Sequence, residues 1–165
     1  MTAYANRTLL LLLGAMLLCA RLPAAPVRFT GTLNDPPPCT VDNGHSVVVD
    51  FGNSLGIRKI DGSRYRMPVN YSLTCEPDSP QSGLLLVLTP GSSGQASFDS
   101  AAVNSTTPGL GIRLIVDGVP ARFGQPYPVS VASPPLLEAV PVRQSGAALA
   151  EGAFTATATL RIDYQ

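Results

Sequence analysis

The residues of this chain that could do chemistry are few: three cysteines, one histidine, eleven acidic residues and three short glycine- or asparagine-based stretches. A Ser-His-Asp or Cys-His nucleophile would have to be built on His45, the only histidine. That residue stands beside the strand-forming Val47, Val48 and Val49 and reads as a surface residue at a strand end. A metal site needs several His, Cys or clustered carboxylates, and the sequence offers no such group. Gly109-Leu110-Gly111 begins a Gly-x-Gly pattern, but no third glycine and no helix follow to cradle a phosphate. Asn70-Tyr71-Ser72 and Asn104-Ser105-Thr106 match the glycosylation acceptor, a pattern short enough that both read as chance matches. No enzyme, cofactor or small-molecule substrate is expected from these residues.

The cysteines speak instead of compartment. Arg7, the apolar run from Leu9 to Leu18 and the Leu22-Pro23-Ala24 segment have the order of a secretory signal peptide, residues 1–24. The apolar run is too short to span a bilayer as a helix. Cys19 is a poor lipidation site, because bulky Leu18 stands where a small residue is wanted. Cleavage after Ala24 leaves 141 residues, enough for one domain. Nine basic residues then face eleven acidic ones, a net charge near −2 that carries no nucleic-acid footprint. It also leaves Cys39 and Cys75, an even pair in an exported chain. A disulfide between them is expected, contributing about 3 to 4 kcal/mol by restricting the unfolded chain. A redox-active pair would want a C-x-x-C spacing, which is absent.

The elements that hold these residues are strands. The final stretch, residues 152–165, places Phe154, Ala156, Ala158, Leu160, Ile162 and Tyr164 on one side of a period-two pattern. Thr155, Thr157, Thr159, Arg161 and Asp163 lie on the other, which describes a long half-buried strand. With no further segment to cover it, its free N–H and C=O groups would recruit another strand. At the other end, Val27, Phe29, Gly31 and Leu33 alternate with Arg28, Thr30 and Thr32, a second such strand. Pro36-Pro37-Pro38 then removes three donors and holds the chain extended. The division is therefore a signal (1–24), an extension with a stiff break (25–38) and a domain (39–165).

Within the domain, 45–51, 65–75, 84–88, 110–116 and 136–142 read as strands, with 126–131 as a short edge piece. Pro68 argues for an edge or bulge in the second of these, and Asp117-Gly118 is a turn signal. Residues 91–108, rich in Ser, Gly and Thr, read as a loop. No helical period of ten residues occurs after the signal. About six strands, sixteen prolines and fifteen glycines point to an all-β sandwich, and an immunoglobulin-like one would want a seventh strand after the last.

These features together resemble the pilus (fimbrial) subunits of the chaperone/usher pathway of Gram-negative bacteria, of the type 1 and P pilus kind. The resemblance rests on V-R-F-T-G-T-L near the start, the cysteine pair in C-T-V and Y-S-L-T-C, and the terminal strand. That strand carries the family's glycine fourteen residues from the end, here Gly152, and its penultimate tyrosine, here Tyr164. The resemblance implies an incomplete immunoglobulin-like domain whose groove is filled first by a strand of a periplasmic chaperone. At an outer-membrane usher, the extension of a neighbouring subunit then replaces that strand. Gly152, Phe154, Ala156, Ala158, Leu160, Ile162 and Tyr164 would form the acceptor and chaperone-binding strand. Val27, Phe29, Gly31 and Leu33 would be the donor, with Gly31 facing a shallow part of the recipient groove. The implied product is a structural subunit of a fimbrium on the cell surface that contributes to adhesion, of minor or adaptor rank. A carbohydrate-binding adhesin is the alternative, but adhesins of this pathway carry an extra receptor-binding domain and no donor extension. Insertion of 27–33 into its own domain is disfavoured by the short, stiff proline tether.

Overall fold

The computed structural model describes residues 26–33, 39–79 and 82–165. The expected signal peptide and the proline break at 34–38 lie outside the described residues. Residues 26–33 belong to a unit separate from the domain. They form no strand, and Val27, Phe29 and Leu33 are 73%, 91% and 101% exposed. The alternation is there in the sequence, but an isolated strand has no ladder to complete, so period-two patterning alone does not make one.

The domain is a two-sheet sandwich. Ten strands run in the order β1 (Cys39–Val41), β2 (Met67–Pro68), β3 (Leu73–Cys75), β4 (Leu84–Pro90), β5 (Ala102–Asn104), β6 (Leu110–Val116), β7 (Val119–Pro120), β8 (Pro126–Val129), β9 (Leu137–Arg143) and β10 (Ala158–Tyr164). One sheet has the order β2-β9-β6-β5, with β7 pairing the far end of β6, and the other has the order β10-β4-β8. A separate two-stranded ribbon, β1-β3, sets Cys39 opposite Cys75, and the disulfide joins them.

The core is the set of side chains that the two sheets turn toward each other. Leu86 and Leu88 from β4 meet Val103, Ile112, Leu114, Val116, Leu137 and Ala139 from the larger sheet. Asp117 and Gly118 take φ of 48° and 80°, the doubly left-handed turn that suits a two-residue hairpin between β6 and β7. Asp117 also accepts the Leu136 N–H at 2.8 Å, tying that turn to the start of β9.

Three expectations shift. The long strand expected over 65–75 is two short pieces, β2 and β3, because Tyr65 adopts φ of 61° and Pro68 removes a donor. The expected loop 91–108 contains β5, a buried strand that its small, polar neighbours conceal. Residues 45–51 run extended with Val47, Val49 and Phe51 half-buried on one side, yet they pair with no strand.

Candidate functional site: an unpaired strand edge

Among the described residues, β10 pairs with a strand on one side only. Its register with β4 runs from Ala158 opposite Pro90 to Tyr164 opposite Leu84. Just outside the ladder, the Gly91 N–H donates to the Thr157 carbonyl and the Gln165 N–H to the Gly83 carbonyl, each at 2.9 Å. In an antiparallel pair the bonding residues alternate, so Thr159, Arg161 and Asp163 direct their backbone groups to β4. Ala158, Leu160 and Ile162 direct theirs the other way, and no described strand meets them. Their side chains, with Phe154 and Ala156, pack against the core while remaining partly exposed.

The continuation toward Gly152 follows the same pattern. Ala156 bridges Ser105, the Thr106 N–H donates to the Thr155 carbonyl at 2.9 Å, and the Thr155 N–H donates to Thr106 Oγ1 at 3.0 Å. Gly152 itself has φ of 138° and no atom near the place of a Cβ, so its glycine is required by conformation rather than by space. Tyr164 is half-buried at the far end, opposite Leu84.

Alongside this edge lies a wall that sequence reasoning passed over. Val49 and Phe51 also pack on the core, and the Phe51 ring centroid is 6.1 Å from that of Phe154, tilted by 38°. At the other end β1 approaches β10. No ladder hydrogen bond joins residues 45–51 to residues 152–163. The signal was present as the alternation Val47, Val49, Phe51, but alternation does not say that a strand will be left without a neighbour.

The other sheet edges are managed. β5 is covered by the preceding segment, where the Ala96 N–H donates to the Ala102 carbonyl at 2.8 Å and the Asn104 N–H to the Gly94 carbonyl at 2.9 Å. β2 is two residues long and ends in proline. β8 carries prolines at 126 and 128. Short strands, covering segments and prolines are the usual protection against edge-to-edge pairing, and β10 has none of them.

Several titratable groups hold local structure. Arg161 and Asp163 form a bidentate pair at 2.7 and 2.8 Å on the solvent face of β10, which raises the Arg161 pKa. The backbone N–H groups of Arg64 and Ser63 hold the Asp61 carboxyl down at about 2. Burial pushes the Tyr71 hydroxyl up to about 12, with the Asp117 charge adding to it, and that hydroxyl donates to the Pro135 carbonyl at 2.7 Å. His45 is exposed, its Nδ1 lying 3.1 Å from the Asp42 carbonyl oxygen. A polar hollow is lined by Arg58, Asp61, Phe98, Asp99, Arg113 and Arg143, and Arg113 and Asp99 in it form an ion pair of 2.7 Å. Gly109 and Gly111 flank the start of β6, and Gly111 lies beneath the Phe98 ring, which explains the glycine there without a phosphate. Among the described residues no group of three His, Cys, Asp or Glu is placed to hold a metal.

Residues 27–165 match the family described as Fimbrial protein. The uncharacterised fimbrial-like protein YfcQ of Escherichia coli K12 is 36% identical over 163 residues, covering 97% of this chain and 99% of that protein. The fimbrial adapter PapF of Escherichia coli is 28% identical over 138 residues, covering 78% of this chain and 81% of PapF. Among solved structures, the P pilus adaptor subunit PapF superposes with a TM-score of 0.54 at 27% identity, over 79% of this chain and 98% of that one. The P pilus rod subunit PapA gives 0.59 at 23% identity, over 85% and 100%, a likeness of fold. An all-β sandwich with one unguarded edge, matched along nearly all of the domain by fimbrial proteins, makes this chain a member of the fimbrial protein family.

Proposed function

We propose that this chain is a pilus subunit of minor or adaptor rank that polymerises by strand donation. The observation that carries the reading is the edge of β10, where Ala158, Leu160 and Ile162 present backbone groups and half-exposed apolar side chains with no strand beside them. A periplasmic chaperone lends the first strand, an outer-membrane usher directs its exchange, and a neighbouring subunit supplies the permanent one. Residues 1–24 act as the signal for export, and the assembled product is a surface fimbrium contributing to adhesion. The adaptor rank is supported by the likeness to PapF along the domain.

Residues 27–33 are the donor for a neighbour. Their alternation puts Val27, Phe29 and Leu33 on one face, and burying each contributes roughly 1.5 to 3 kcal/mol. A ladder along the donor adds about 1 kcal/mol per hydrogen bond. Ordering the extension opposes this by about 1 to 2 kcal/mol per residue, so affinity depends on completing the acceptor's core as well as on the donor. Gly31, the one inward position without a side chain, fits where a recipient groove is shallow. Tyr164 anchors the end of the acceptor strand.

Deleting residues 26–33 tests both roles at once. The truncated chain should still co-purify with its chaperone and fail to enter the groove of another subunit. Normal incorporation at the donor position would overturn the assignment. Phe154→Asp should abolish the chaperone complex and lead to degradation of the subunit in the periplasm, whereas a stable complex would contradict the acceptor role.

A further inference from the structure

The sheet β10-β4-β8 has two outer edges, and their side chains alone do not tell them apart. Beside β10 the core is partly open at Leu160 and Ile162, and beside β8 it is partly open at Tyr127 and Val129. An incoming strand would find apolar surface at either margin.

The backbones differ. β4 gives its odd-numbered residues to β10, so Leu84 and Leu86 bond toward β8, where they face Val129 and Tyr127. Pro126 and Pro128, opposite Val87 and Leu85, therefore direct their backbone nitrogens away from β4, to the outer edge. Both nitrogens lack hydrogen. Both prolines are exposed. Across the whole of β8 the outer edge has no N–H to offer, whereas Ala158, Leu160 and Ile162 of β10 each direct one away from β4.

We infer that Pro126 and Pro128 determine where a strand adds: they close the β8 edge and leave β10 as the single acceptor. This rests on assembly by strand addition as proposed above, and it assigns the prolines a specificity role within it. The partner excluded is any extended strand, from a donor extension or from a second copy of this sandwich.

The test is to mix the exported full chain with excess peptide of residues 26–33 and count peptides per chain by native mass spectrometry. Wild type should take one. Pro126→Thr/Pro128→Thr, which restores both donors, should take a second or form dimers in the absence of peptide. Pro128→Thr alone is the milder substitution, and whichever variant keeps a cooperative melting transition is the one to read. One peptide per chain and no dimer in a folded variant overturns the inference. No peptide on the wild-type chain would instead overturn the strand-donation reading, so the two failures are distinct.

Discussion

β9 and β10 are both seven-residue strands with apolar residues on the core side, and they end in different environments. β9 has β6 along its whole length and β2 over its start. Leu137, Ala139, Val140 and Val142 are buried, with Val140 fully so. Among the described strands β10 has β4 alone, and Leu160 and Ile162 are only half-buried. The apolar residues of a strand are thus buried only where other elements cover them, as Ala96 and Phe98 cover Val142 of β9. β9 is scaffold, and β10 is the same kind of strand held ready for a partner.

Substitutions on the two strands should separate these roles. Val140→Asp buries an unpaired charge at a site with no exposure, and should cost several kcal/mol, a loss on the scale of the whole stability of a small domain. No cooperative unfolding transition should be seen. Ile162→Asp places its charge at a half-open edge, so the cost to the isolated domain should be about 1 to 2 kcal/mol, read as a lower denaturant midpoint, while strand uptake is lost. Equal destabilisation by the two would erase the distinction between them.

Phe51→Ala removes the ring facing Phe154 across the unpaired side. Its partial burial sets the expected loss near 1 to 2 kcal/mol, with a deeper slot that tolerates a larger residue than glycine in the donor. The smallest effect should come from Tyr71→Phe, about 1 kcal/mol for one hydrogen bond. Its pH dependence is the sharper signature. The hydroxyl ionises near 10 when unfolded and near 12 in the folded chain, so its contribution is complete below pH 10 and lost as pH rises toward 12. Tyr71→Phe should flatten that part of the alkaline unfolding curve, measured by circular dichroism.

Much of this was legible from the residues. The disulfide followed from two cysteines left in an exported chain, and the terminal strand from its period. The turn at Asp117-Gly118 followed from residue types that tolerate positive φ. β5 was hidden because its three residues sit among Ser, Gly and Thr, and its burial comes from Val103 packing in the core and segment 94–96 pairing alongside. The unpaired state of 45–51 was hidden for a related reason: alternation reports which side faces the core, and pairing depends on what the rest of the chain brings alongside. The edge role of Pro126 and Pro128 was hidden too, since it depends on the β4–β8 register.

Amide hydrogen exchange on β10 of the exported full chain, with and without the 26–33 peptide, tests the central claim most directly. Thr159 and Arg161, whose N–H groups face β4, should be protected throughout. Leu160 and Ile162, whose N–H groups face the open edge, should exchange rapidly in the free chain and become protected when the peptide is added. Protection of Leu160 and Ile162 before any strand is supplied, or none after, would contradict the assignment of β10 as the acceptor.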